Sequence, residues 1–200
     1  MPASSGLTPA EHAMLGLVLL GPRHGYEIAA HFGPEGDLGI VCQLPMSLLY
    51  AQLKRLESLG YLEGTTEFQA NRPPRRVYRL TPEGEAEFWR WLDQPVARIR
   101  EIRIDFLLKL FFSSRLPTHD TDDLLRRQIA VCQDYLAVLK ERQARTPPDS
   151  FAYLVNQARL TAAQGTIAWL SEYLGRWSKG PKQAAPEHAP KQGDAGAPAG

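Results

Sequence analysis

Four arginines, Arg72, Arg75, Arg76 and Arg79, fall within eight residues around an Asn-Arg-Pro-Pro turn, and two further cations, Lys54 and Arg55, lie one element upstream. A guanidinium presents a planar fork of donors that matches a phosphate and can enter a narrow minor groove. Between residues 43 and 80 these six cations face three anions, Glu57, Glu63 and Glu67, an excess of three in a chain whose formal net charge is only +1. Charge that merely protected an edge hairpin from aggregation would serve with either sign. Enrichment in arginine points instead to the phosphates of duplex DNA. Ser47 and Tyr50 carry hydroxyls that can donate or accept at base edges in the major groove. Lys54 and Arg55 fit phosphate neutralisation, which positions a protein without reading sequence. Arg72, Arg75 and Arg76 would then hold the adjacent backbone or minor groove.

The local pattern says which elements must carry these groups. Residues 47–59 predict a capped amphipathic helix: Leu49, Leu53 and Leu56 recur at i, i+4 and i+7 as a core-facing stripe, with Leu59 near the same edge. Ser47, Ala51, Lys54 and Ser58 lie opposite, flanked by Tyr50 and Arg55, and Gly60 supplies the helix stop. Strands are expected over residues 61–68 and 75–80, with a turn over 69–74 whose tip Pro73-Pro74 stiffens, and Thr81-Pro82 opens the next helix. A short helix followed by a basic hairpin is the order of a winged helix-turn-helix. Upstream, Thr8-Pro9-Ala10-Glu11 is a capping box launching a helix over residues 13–20, where Met14, Leu15 and Val18 can share a buried side. Gly21-Pro22 stops it, and a second helix runs from Gly25 to about Phe32-Gly33. His24 reads as a turn histidine, since no second His or Cys stands at ligand spacing nearby. Residues 33–44 form a glycine-containing connection.

The second half has a different character. Trp89 and Leu92 mark a helix leaving the hairpin, and residues 106–112 form an apolar run too short and too interrupted by charge to span a membrane, hence a buried helix. Leu125, Ile129, Cys132, Leu136 and Leu139 recur at steps of 4, 3, 4 and 3; Leu160, Ala163, Ile167, Leu170, Leu174 and Trp177 recur at 3, 4, 3, 4 and 3. Both are coiled-coil-like seams. The last helix carries another apolar side, Val155, Ala158, Ala162, Gly165 and Trp169. Two seams on one helix require two partners, one from its own chain and one from a second chain. Gly165 costs about 1 kcal/mol of helix propensity relative to Ala, which close helix approach would explain.

Taken in order, His24-Gly25-Tyr26-Glu27-Ile28, Leu49-Tyr50, Leu53-Lys54-Arg55-Leu56-Glu57, Gly60-Tyr61-Leu62 and the run from Arg76-Val77-Tyr78-Arg79-Leu80 through Thr81-Pro82-Glu83-Gly84 resemble the PadR-like transcriptional regulators. The match is close over residues 7–92. The remainder is similar to the longer members with a C-terminal helical domain, around residues 106–112 and 165–170. The resemblance implies homodimeric transcription regulators, mostly repressors, with a winged domain followed by a helical dimerisation region. One departure is Pro45-Met46-Ser47, where many relatives have a Ser-Pro-Gly-like opening; it falls at the base-reading positions.

The fold class expected is therefore mainly α with a small β-hairpin: a winged helix-turn-helix over residues 7–93, a helical dimerisation domain over 94–177 and a disordered tail over 178–200, whose Pro, Ala, Gly, Lys and Gln offer little to bury. Cys42 and Cys132 stand far apart, which argues against a disulfide framework and fits a reducing cytosol. The first six residues lack the features of a signal peptide. No phosphate loop, nucleophile elbow or paired Cys/His cluster is present, so no enzymatic activity, cofactor or metal is expected. Asp120, Asp122 and Asp123 fit helix capping rather than a metal. The expected function is that of a cytoplasmic, homodimeric regulator, a repressor, on a roughly palindromic double-stranded operator, with no membrane partner. Two alternatives stand beside it: a sensor whose small-molecule effector sits in a cavity lined by Trp89, Trp91, Trp169 or Trp177, and a winged-helix protein-interaction module that does not bind DNA.

Overall fold

The structure, a computed structural model, describes residues 6–69 and 72–176. Trp177 and the segment 178–200 lie outside the described residues, as do the two residues at the hairpin tip and the Arg72 side chain. Helix α1 spans Pro9–Leu19, and its start follows the capping box: Thr8 Oγ1 accepts from the Glu11 amide at 3.2 Å while the Glu11 carboxylate accepts from the Thr8 amide at 2.7 Å. The expected amphipathic face is replaced by burial of every residue from Ala10 to Val18. α1 is thus the central post of the N-terminal unit, packed against all its neighbours.

A two-residue strand β1 (Arg23–His24) leads into α2 (Gly25–His31), and the connection over residues 33–44 buries Leu38. Helix α3 spans Met46–Ser58 with Pro45 in the capping position and no side chain accepting from its first turn, so the capped start expected at Ser47 is not what forms. Proline presets the backbone angle there but has no side-chain acceptor to offer. Leu49, Leu53 and Leu56 are fully buried, each worth roughly 1.5–3 kcal/mol relative to exposure. Leu59 is largely exposed at the C-cap, not part of the stripe. Gly60 follows at φ +76°, the left-handed turn that ends the helix.

The hairpin is longer than its sequence suggests. β2 spans Leu62–Gln69 and β3 Arg72–Leu80, so the stretch assigned to a six-residue turn is mostly strand, Pro73 and Pro74 included. β1 adds to the free edge of β3, with Arg23 opposite Tyr78 and His24 opposite Val77, giving a three-stranded antiparallel sheet in the order β1-β3-β2. Two residues carry no periodicity, so local pattern does not mark this third strand. Thr81 then caps α4 (Pro82–Leu92): its hydroxyl accepts from Gly84 N at 3.0 Å and donates to Gly60 O at 2.7 Å, tying the helix start to the end of α3.

Beyond α4, a 3-10 turn at Ile99–Glu101 and a π turn at Ile102–Phe106 feed α5 (Leu107–Ser113), the buried helix expected from the apolar run. Leu108 and Phe112 of α5 join the first core, around α1, α3 and α4, while Phe106 and Leu110 join a second with Val96, Leu125, Ile129, Cys132 and Leu170. Helices α6 (Thr121–Ala144) and α7 (Phe151–Tyr173) pack on one another, joined by residues 145–150. Asp120 caps α6, accepting from the Asp123 amide at 3.0 Å, as expected for the acid cluster. Gln128 clasps Val96, accepting from its amide at 2.7 Å and donating to its carbonyl at 3.0 Å.

Two buried polar groups were invisible in the sequence. His12 lies under the Trp91 ring (centroids 5.0 Å apart, nearly parallel) with Nε2 3.0 Å from Glu87 Oε1. Lys109 donates to the carbonyls of Trp91 (2.6 Å) and Gln94 (2.8 Å), closing the end of α4, and burial lowers its ammonium to about 8. Burial also pushes His12 below its ordinary 6.5, outweighing the pull of Glu87. The unfolded chain therefore binds a proton that the folded chain refuses once pH drops below about 6.5, so this contribution to stability is complete above that pH and lost below it. Thermal melting should show Tm falling as the pH is taken from about 7.5 to about 5, and His12→Gln should flatten that fall. Equal slopes in the two proteins would contradict this account of His12.

Candidate nucleic-acid interface

The exposed side of α3 carries Ser47, Ala51, Lys54 and Ser58, all open to solvent as the helical spacing requires. Ser58 donates back to Arg55 O at 2.7 Å, which leaves Ser47 as the hydroxyl of the first turn. Tyr50 is 42 % exposed, and its ring lies over Gly25, where a β-carbon would come within 2.7 Å of it. It therefore packs against α2 while presenting one edge outward.

Arg55 behaves differently from Lys54. Its Nη1 donates to Glu11 Oε1 at 2.5 Å and its Nη2 to Gly6 O at 3.3 Å, so the guanidinium anchors α3 to the start of α1 rather than standing free over the outer face. Arg76 likewise has an internal partner: it donates to Glu57, pinning the wing to the C-terminal half of α3, and this bond holds its already high basicity higher still. Gly64 lies beneath that pair, where a β-carbon would collide with both side chains. Arg75 points the other way, with Nη1 3.3 Å from the Tyr26 hydroxyl and its guanidinium 5.2 Å from the Tyr26 ring centre. Tyr26 in turn stacks on His24 at 5.4 Å. Arg79, opposite Glu63 in the register, is exposed. Ser47, Tyr50, Lys54, Arg75 and Arg76 thus lie on one helix and the wing beside it, whereas Arg55 is turned to structural use. The pairings of these arginines with Glu11, Tyr26 and Glu57 each act across a sequence gap that local pattern does not encode.

Of the four tryptophans, Trp89, Trp91 and Trp169 lie among the described residues, and each packs against another side chain of this chain. Trp91 is covered by His12 on the ring and by Lys109, whose Nζ lies 5.0 Å from the ring centre, and its Nε1 donates to Asp105 at 2.7 Å. Trp89 stacks on His119, and Trp169 meets Tyr173 with the rings tilted by 55°. A surface depression between α3, β2 and α4 is lined by Glu57, Gly60, Glu63, Thr65, Thr81 and Glu83, without a tryptophan. Ser113, His119 and Asp93 stand in line, at 2.6 Å from Ser113 Oγ to His119 Nδ1 and 3.1 Å from His119 Nε2 to Asp93. Ser113 is only 2 % exposed and shares its hydroxyl with Thr121, so this chain of bonds locks the α5–α6 turn onto α4 and has no room for a substrate.

Both halves of the chain are similar to known proteins. The model of the transcriptional regulator PadR-like family matches residues 14–90, and a second, described as virulence activator alpha C-term, matches residues 102–177. Residues 14–90 thus match the PadR-like family. The chain is 29% identical over 181 residues to the negative transcriptional regulator PadR of Bacillus subtilis, across 84% of this chain and 97% of the relative. It is also 29% identical over 89 residues to a protein of Mycobacterium tuberculosis described as a probable transcriptional regulator, across 44% of this chain and 46% of that one. Among solved structures, Bacillus subtilis PadR in complex with operator DNA is similar at 26% identity and a TM-score of 0.45, covering 86% of this chain and 99% of that one. PadR-like proteins are transcriptional regulators, not enzymes, and no helix among the described residues is long and apolar enough to cross a membrane.

The two neighbouring cations make a direct test. Arg55→Ala would strip a partner from Glu11, whose side chain is 1 % exposed, and should lower unfolding free energy by about 1–3 kcal/mol. Lys54→Ala, on the exposed face, should leave urea unfolding unchanged within about 0.5 kcal/mol. Equal stability losses would contradict the division of labour.

Proposed function

We propose that this chain is a cytoplasmic, homodimeric, PadR-like DNA-binding regulator that represses transcription from a roughly palindromic operator. The observation that carries the reading is the pairing of an α3 face holding Ser47, Tyr50, Ala51 and Lys54 with a wing holding Arg75, Arg76 and Arg79. α3 enters the major groove, where Ser47 and Tyr50 meet base edges, and its first turn has no side-chain cap competing for its amides. Lys54 and the wing arginines, Arg72 included, neutralise phosphates on either side. Arg76 reaches a phosphate by leaving Glu57, while Arg75 extends from its platform on Tyr26.

The second chain is supplied through α7. Asn156, Ala163 and Leu170 are buried against α6, but Phe151, Leu154, Ala158, Ala162 and Gly165 on another side are exposed. A β-carbon built at Gly165 meets nothing within 4 Å, so the close approach that would explain a helical glycine comes from outside this chain. On this reading residues 7–93 are the DNA-binding unit and residues 94–177 the dimerisation unit. Two-fold symmetry then presents two copies of α3 to two half-sites.

Two measurements test these roles. The affinity of the full chain for a duplex covering its own promoter region should fall steeply with salt, and replacing Arg75 and Arg76 together by Ala should flatten the slope of log affinity against log salt by about 0.9 per lost phosphate contact. An unchanged slope would mean that the wing points away from the backbone. Gly165→Leu, in turn, has space within its own chain and should keep the helical circular dichroism while light scattering reports a monomer. An intact protein that is monomeric at micromolar concentration would refute the dimer.

A further inference from the structure

The first two turns of α3 are unusual for a surface meant to meet DNA. Met46 is 56 % exposed and Leu48 44 % exposed, large apolar side chains left in water at the end of the helix that lies nearest a groove floor in a winged helix-turn-helix. Ala51 is exposed beside Leu48 at i, i+3, and Tyr50 is exposed beside Met46 at i, i+4, so apolar surface flanks Ser47 on both sides.

What this stretch lacks is as informative. Forked recognition of guanine needs Arg or Lys, and forked recognition of adenine needs Asn or Gln. Residues 46–51 read Met-Ser-Leu-Leu-Tyr-Ala and contain none of the four. Gln52, the next amide, has its Oε1 buried. Lys54 lies two turns in, and Arg55 is held by Glu11. Ser47 and the Tyr50 hydroxyl are the remaining polar side-chain groups, and neither makes a forked contact. The one apolar feature on the floor of the major groove is the C5-methyl group of thymine.

We infer that the operator is read in part through thymine methyl groups, which Met46 and Leu48 cover when α3 docks. This rests on the DNA-binding reading above and specifies its base chemistry: each half-site carries thymines facing the first turn of α3, on either side of the base contacted by Ser47. Placing each methyl against a side chain removes apolar surface of both from water, on the scale of one methylene, or roughly a fourfold gain in affinity per methyl.

The test uses the full-length protein and a pool of random duplexes. Repeated selection should enrich a two-fold symmetric site with thymines in each half. Replacing those thymines one at a time by deoxyuridine removes only the methyl group and should weaken binding roughly fourfold at each contacted position, with no effect of the same change outside the half-sites. Met46→Ala and Leu48→Ala should each erase the deoxyuridine penalty at one position; both side chains are exposed, and thermal melting checks that the fold is retained. A deoxyuridine penalty of the same size in the variants, or an enriched half-site without thymine opposite α3, overturns the inference while leaving DNA recognition standing. Failure to enrich any sequence overturns the DNA-binding reading itself, and this inference with it.

Discussion

A carboxylate withdrawn from water must be satisfied on every side, and in this protein the carboxylate of Glu11 sets the position of the helix that faces outward. It accepts from the Thr8 amide at 2.7 Å and from the Thr8 hydroxyl at 3.0 Å, which starts α1, and from Arg55 at 2.5 Å, which fixes α3 against that start. One residue further on, His12 performs the same service for α4 by meeting Glu87. The first turn of α1 is therefore where two flanking helices are held in register. With Leu49, Leu53 and Leu56 buried beneath it, α3 has a single orientation left, and its opposite face has nowhere to go but solvent.

The wing is held by the same kind of constraint, with the difference that its partners lie at the surface. Arg76 meets Glu57 across the space that Gly64 leaves, and Arg75 rests on Tyr26. Exposed ion pairs contribute little to stability, typically about 0–1 kcal/mol, so they can be exchanged for phosphate contacts at small cost. The Glu11–Arg55 pair differs on its acidic side: Arg55 is about as exposed as Arg76, but the Glu11 side chain is 1 % exposed against 28 % for Glu57, so losing the cation would leave a buried carboxylate without its counter-charge. The burial of the partner carboxylate thus separates cations of similar appearance in the sequence. At the far end of α4, Lys109, Asp105 and Trp91 join the two cores through direct hydrogen bonds, so the helical unit and the wing unit share a fixed junction.

Much of this was legible from local pattern. The Thr8–Glu11 box, the leucine stripe of α3, the stop at Gly60, the Thr81 cap and the Asp120 cap are all settled within four residues of chain, and each formed where the spacing put it. Features decided by distant partners were not legible. Arg55 looked like its neighbour Lys54 because Glu11, which claims it, is 44 positions away. β1 exists because β3 offers it an edge, and Pro73 and Pro74 join a strand because the hairpin extends past them. The exposure of Met46 and Leu48 depends on how the end of α3 emerges from the core, which a helical wheel does not show. α7 is the intermediate case: its seam against α6 follows from spacing, while on its second apolar side Ala158, Ala162 and Gly165 are exposed, with Gly165 facing open space.

The central claim, that two copies of α3 are presented by a two-fold dimer to two major-groove half-sites with a wing on the flanking backbone, is tested most directly by hydroxyl-radical footprinting of the full chain on its own promoter fragment. The account predicts two protected patches related by a two-fold axis, with half-site centres about 10–10.5 base pairs apart or a multiple of that, and flanking protection that disappears when Arg75 and Arg76 are replaced. A single unsymmetrical patch, or flanking protection indifferent to those arginines, would contradict it.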